Sequence, residues 1–98
     1  MKTILIEPKY LQIIHDILKK NLPEQKVVAF GSRITNHCKP HSDLDLCVMG
    51  KIPLSFTKLD QLREDFSQST LPFRVDIIDW ATLTPEFRKI IQSNHIKI

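Results

Sequence analysis

The stretch FGSRITNHCKPHSDLDL, residues 30–46, decides how this chain is read. Gly31 and Ser32 are followed by ten residues, Arg33 to Ser42, and then by Asp43-Leu44-Asp45. Upstream, Val27, Val28 and Phe30 are β-formers that predict a short buried strand, so Gly31 falls where that strand ends and the backbone must turn. A residue without a Cβ lets main-chain N–H groups approach an anion closely, and the Ser32 hydroxyl adds a donor. The pair therefore suits a phosphate tail. Downstream, the strand period of two puts the Asp43 and Asp45 carboxylates on one face and Leu44, Leu46 and Val48 on the other. Two carboxylates on one face repel unless a cation sits between them. Magnesium is the usual partner where phosphates are handled, because it keeps part of its water shell and takes one or two carboxylates plus phosphate oxygens.

Working outward, Phe73-Arg74-Val75-Asp76-Ile77-Ile78-Asp79-Trp80 predicts another strand. Arg74, Asp76 and Ile78 share one of its faces, and Val75, Ile77 and Asp79 share the other. Asp76 is therefore the third carboxylate of choice, and Asp79 is expected at a strand end or in a cap. Arg74 is open to two readings: it offsets charge on a nucleotide or on the carboxylates, or it is a surface arginine. Three strand carboxylates can hold two metal ions, one polarising an attacking hydroxyl and one the leaving pyrophosphate, in line across an α-phosphorus.

Gly-Ser, ten residues, Asp-x-Asp and a later strand aspartate together resemble the signature of the DNA polymerase beta-like nucleotidyltransferase superfamily. Within it, Gly31-Ser32-Arg33, Ser42-Asp43-Leu44-Asp45-Leu46 and Arg74-Val75-Asp76-Ile77-Ile78-Asp79 are similar to the minimal nucleotidyltransferase (MNT) family, antitoxin partners of HEPN-domain toxins. The match runs from Val27 to Trp80. The resemblance implies that Ser32 contacts a triphosphate, within a nucleotide-binding turn of Gly31, Ser32 and Arg33. It implies that Asp43 and Asp45 bind both metals, and that Asp76 binds the catalytic metal and helps activate the acceptor. ATP is then the substrate and Mg2+ the cofactor, as two ions. The implied reaction moves AMP onto a protein hydroxyl, a tyrosine of a HEPN ribonuclease toxin, where the added anion blocks RNA entry. The chain would then act as an antitoxin in a hetero-oligomer with that toxin. One departure stands out: many members carry a glycine soon after the arginine, where this chain has Thr35-Asn36-His37. Asn36 is the best substitute there for a left-handed position.

Two other functions stay open on the sequence alone. One is a non-catalytic antitoxin that neutralises by binding, against which stands the full carboxylate set. The other is a transferase acting on a small molecule, as the aminoglycoside nucleotidyltransferases of the superfamily do; a chain of 98 residues offers no further domain to hold such an acceptor.

That length predicts a single domain over residues 1–98 with one modest core, which must find its acceptor on a partner. The net charge of +3 comes from scattered residues without a dense basic run, so direct nucleic-acid binding is not expected. No apolar stretch reaches the roughly 18 residues of a membrane span and no leader pattern opens the chain, so a cytoplasmic protein is expected. Two cysteines, Cys38 and Cys47, make no disulfide framework. His37, Cys38 and His41 cluster, but without four ligands at a zinc spacing; the plainer reading is a polar loop rimming the cleft.

The remaining elements follow from periodicity. Pro8 to Leu22 predicts a helix with a broad apolar stripe of Tyr10, Leu11, Ile13, Ile14, Ile17 and Leu18. Residues 32 to 36 predict a helical turn facing the phosphates, with Arg33 free to pair with phosphate or with a carboxylate. Ser55 to Ser67 predicts a helix burying Phe56, Leu59, Leu62 and Phe66, with Asp60, Glu64 and Asp65 on a solvated face. Thr84-Pro85 caps a last helix, and Ile96-Lys97-Ile98 alternates as a strand that pairs with a sheet edge or a partner. The expected fold is α+β: a small mixed β-sheet backed by helices, in the order helix, strand, short helical turn, strand, helix, strand, helix, with the carboxylate face open as a cleft.

Overall fold

The computed structural model describes residues 4–35 and 42–98. Helix α1 spans Pro8–Asn21 and opens on a proline, whose fixed φ suits a first turn and whose missing N–H is no loss there. Strand β1 spans Lys26–Phe30, β2 Leu44–Met49 and β3 Val75–Asp79. Between β2 and β3 lies helix α2, Phe56–Ser67, started by Ser55, whose hydroxyl accepts from the Lys58 N–H at 3.1 Å. Helix α3, Pro85–Ser93, starts in the same way: the Thr84 hydroxyl accepts from the Phe87 N–H at 3.2 Å. Short 3-10 turns follow β1 and β3, at Ser32–Ile34 and Trp80–Thr82.

The sheet order is β3-β2-β1, completed by a short strand β4, Ile96–Lys97, on the far side of β1. Strand β1 runs antiparallel to β2 and to β4, whereas β2 and β3 are parallel. A parallel pair needs a crossover, and α2 supplies it. The alternation at the end of the chain thus pairs with a strand edge: Val28 faces Lys97, and the Ile98 N–H donates to the Val27 carbonyl at 3.0 Å.

One face of the sheet is sealed. Val27, Ala29, Leu44, Leu46, Val48 and Ile77 pack there against Ile14 and Leu18 of α1 and Leu62 and Phe66 of α2. Two details depart from the sequence reading. Asp65 is not simply solvated: it accepts from Asn21 Nδ2 at 2.8 Å and from Gln61 Nε2 at 2.9 Å, and Lys20 Nζ lies 3.5 Å away. These partners, Asn21 foremost, hold its pKa below the usual carboxylate value and tie α1 to α2. The stripe of α2 is also narrower than periodicity implies, since Phe56 is 87% exposed. It sits in the first turn, beyond the reach of the sheet.

A third departure concerns the carboxylate face, which is only partly open. Val28 and Cys47, opposite each other on that face, are buried under Ile91 of α3, with Met49, Ile78, Trp80 and Leu83 around them. Helix α3 therefore packs on the opposite side of the sheet from α1 and α2. Among the described residues no helix is long and apolar enough to cross a membrane. The expectations for Asn36 and for the His37, Cys38 and His41 cluster lie outside the described residues.

Candidate functional site

The sheet register assembles the site. In the parallel β2–β3 pair, Asp45 stands opposite Asp76; in the antiparallel β1–β2 pair, Asp45 stands opposite Phe30. Asp45 thus has Asp76 on one side and, on the other, the residue preceding Gly31. Asp43 lies just before β2 and is exposed, so its place is set by the Leu44 N–H, which donates to the Arg74 carbonyl at 2.8 Å. The three carboxylates expected from the sequence are neighbours. Burial, then the charge on Asp76, then the charge on Asp43, push the Asp45 carboxyl above its ordinary pKa.

Gly31 is required here for a reason beyond backbone access. Its φ of 81° lies in the region that favours glycine, and a Cβ at that position would run into the Asp45 carboxylate. The turn after the strand and the central carboxylate are built against each other. Ser32 opens the 3-10 turn, and its carbonyl is held by the Thr35 N–H at 3.1 Å and the Thr35 hydroxyl at 3.0 Å. Ser32 itself is half-buried.

Arg33, which the sequence left open between phosphate and carboxylate, is 5% exposed and directs its guanidinium at main-chain carbonyls. Its Nε and Nη2 donate to the Ser42 carbonyl at 3.0 and 2.8 Å, and its Nη1 donates to the Leu5 carbonyl at 3.0 Å. The guanidinium lies over the Phe73 ring, 4.3 Å from its centre. A planar fork with five donors fits two carbonyls and an aromatic face together, which an ammonium would not. Arg33 thereby ties the turn after β1 to the residue that leads into Asp43.

Asp79 does what its position on the opposite face of β3 implies. It is 5% exposed and accepts from the Leu54 N–H at 2.5 Å and the Ala81 N–H at 3.4 Å. Arg74 stays by Asp76, with Nε 3.1 Å from Oδ1. Cys47 shares the face of Asp45, but burial first and the Asp79 charge second push its thiol up to about 11, so it is no nucleophile at neutral pH.

A cavity of about 980 Å³ opens beside Asp45 and Asp76. Phe30, Ile78 and Phe87 give it an apolar wall, and Arg63 and Arg74 give it cations. Phe30 and Phe87 meet edge to face, 6.0 Å between centres, where α3 reaches the carboxylate end. Sequence reasoning missed this wall. Period two could place Phe30 on the face of Asp45 only once the β1–β2 register was known, and nothing local says which face α3 covers.

An all-oxygen set of three carboxylates, carrying more negative charge than the site itself neutralises, fits a hard divalent cation such as magnesium. The set is not gathered into a finished ligand cluster among the described residues, and Asp76 is turned to Arg74.

Comparisons with known proteins show the family and the fold. The profile of the family described as Polymerase beta, Nucleotidyltransferase matches residues 12–98. A curated protein of Haemophilus influenzae named "Probable protein adenylyltransferase MntA" is 44% identical over 93 residues, which span 95% of this chain and 82% of that one. A crystal structure described as a toxin-antitoxin with AMP-PNP superposes with a TM-score of 0.73 at 21% identity, over 88% of this chain and 69% of the other. A mutant MntA-HpeT toxin-antitoxin structure superposes with a TM-score of 0.68 at 22% identity, over 90% and 70%. At those identities the structural likeness speaks for the fold.

Proposed function

Because the chain belongs to the polymerase beta nucleotidyltransferase family, we propose that it transfers AMP from ATP to a hydroxyl of a protein partner, as the antitoxin of a toxin–antitoxin pair. The observation that carries the reading is the cross-strand pairing of Asp45 with Asp76 next to the Gly31-Ser32 turn, with Asp43 adjacent. The name of the Haemophilus relative supports the adenylyl group, and the fold shared with toxin–antitoxin complexes supports the kind of partner. The finer assignment, a HEPN ribonuclease toxin modified on a tyrosine, rests on the motif resemblance.

In the proposed reaction the acceptor oxygen attacks the α-phosphorus, a new P–O bond forms, and the bond to the bridging oxygen breaks to release pyrophosphate. Gly31 and Ser32 hold the phosphate tail with main-chain N–H groups and a hydroxyl. Asp43, Asp45 and Asp76 would hold magnesium, which when bound supplies charge neutralisation for the phosphates and polarises the acceptor. Asp76, at the cavity, orients the acceptor hydroxyl and receives its proton. Asp45, half-buried between Phe30 and Asp76, sets the charge at the centre. Its pKa, raised by burial first and then by Asp76 and Asp43, is consistent with a centre that a cation would relieve.

The test is intact-mass spectrometry of the protein encoded by the adjacent gene after incubation with this chain, ATP and magnesium. A gain of one or more AMP units, absent with an Asp43→Asn/Asp45→Asn control, is the expected result. A stable complex without any mass gain would replace the catalytic reading by an antitoxin that acts through binding alone.

A further inference from the structure

Of the two arginines that line the cavity and have no task in the reaction above, Arg74 is the one paired with a carboxylate of the site. It precedes Asp76 by two residues on β3, so both project from the carboxylate face. The ion pair between them is open to water: the two side chains keep 77% and 40% of their exposure. A pair this exposed contributes a factor of only about two to five to an equilibrium. It breaks readily when either partner finds a better one.

A divalent cation is such a partner for Asp76. A guanidinium and a metal ion compete for the same carboxylate lone pairs, and they repel each other across the few ångströms involved. Once displaced, Arg74 remains on the wall of the cavity, which Arg63 of α2 also lines. Its long side chain then meets whatever anion enters with the metal, and planar, multi-donor guanidinium groups suit phosphate oxygens.

We propose that Arg74 is a place-holding cation that occupies Asp76 in the metal-free chain and, displaced by the metal of an entering metal–nucleotide, donates to the nucleotide phosphates. The inference rests on the nucleotidyltransferase reading and deepens it. Metal alone must compete with Arg74 for Asp76, whereas metal with nucleotide gives Arg74 a new anion. Metal and nucleotide then strengthen each other's binding by one shared factor, as linkage requires. Arg74 is on this account a positioning residue, and the metal site stays poorly formed until nucleotide arrives.

The experiment is calorimetric titration of the full chain, first with Mn2+ alone and then with a non-hydrolysable ATP analogue in saturating Mn2+. Wild type is compared with Arg74→Ala, Arg74→Lys and Asp76→Asn. Arg74→Ala is expected to bind Mn2+ alone about two- to fivefold more tightly and the analogue about tenfold more weakly. Arg74→Lys is expected to recover part of both, since it restores the charge but not the fork. A residue with a merely structural role would not move the two affinities in opposite directions. Arg74→Ala equal to wild type in both titrations, or weaker in both, overturns the proposal. Asp76→Asn separates this failure from a deeper one. If it weakens Mn2+ binding while Arg74→Ala changes nothing, only the handover fails; if Asp76→Asn binds Mn2+ like wild type, the carboxylate metal site fails with it.

Discussion

Strand β2 presents two unlike surfaces, and the contrast explains most of the molecule. On one side Leu44, Leu46 and Val48 are 0, 0 and 1% exposed under α1 and α2. On the other, residues one position along alternate from exposed Asp43 through half-buried Asp45 to Cys47 at 0%. The first surface is apolar from end to end and carries stability. The second is graded: α3 seals its Cys47 end, and toward Asp45 it supplies Phe87 as one wall of a cavity where charge can gather. Stability and chemistry thus sit back to back on six residues of strand, separated by the period of two.

The sharpest way to test the contrast is Asp45→Asn, which should cost at least about 10²-fold in nucleotide transfer and yet stabilise the metal-free fold. The sign follows from linkage. The folded carboxyl has a raised pKa, so between its ordinary value and the folded one the native state binds more protons than the unfolded state. Stability therefore falls as pH rises through that window and stays lower above it. Thermal melts of the metal-free wild type and of Asp45→Asn across pH 3 to 8 (about that span, from the ordinary carboxylate value) should show this loss in their difference, because Asp65, whose pKa is lowered, contributes in the opposite direction to both. A variant that melts below wild type at neutral pH would refute the strained-charge account.

On the dry side, Leu46→Ala should lower stability by about 2–5 kcal/mol, read by denaturant titration. Any loss of transfer activity should then track the unfolded fraction. An intact fold with a dead site would mean the two faces are not separable.

Arg33 bridges the two surfaces, since its guanidinium holds Leu5 and Ser42 while its ring contact is with core Phe73. Arg33→Ala should cost about 2–3 kcal/mol, the scale of hydrogen bonds to a charged group, and Arg33→Lys should recover little of it. If lysine restores full stability in the same denaturant titration, the fork geometry is irrelevant and charge alone suffices. The smallest effect is expected from Thr84→Ala, which removes the cap of α3 at about 1 kcal/mol. Because α3 covers the Cys47 end, the loss should appear as faster thiol labelling of Cys47, now held inert by burial.

How much of this was legible before the structure differs from residue to residue. Asp76 could be preferred to Asp79 because strand alternation is local, and the structure puts Asp76 beside Asp45 while Asp79 caps the following turn. Gly31 was legible as a turn residue, but the Asp45 carboxylate packed against it was not, since that contact joins two strands. The partners of Arg33 were hidden for the same reason: an arginine in such a turn invites an anion, and only the fold brought the Leu5 and Ser42 carbonyls to its fork. Asp65 looked like one more solvated helix charge until α1 brought Asn21 within 2.8 Å.

The sequence by itself determined the elements, their caps and the faces on which the carboxylates fall, because helix and strand periods and cap chemistry act over a few residues. It also carried the resemblance to the nucleotidyltransferase family, which the family match bears out. Only the tertiary structure decided the strand register that sets Asp45 against Phe30 and Asp76, the side on which α3 docks, and the partners of Arg33 and Arg74. Those depend on contacts between segments far apart in the chain, where apolar burial fixes the arrangement and no local pattern encodes which surfaces meet.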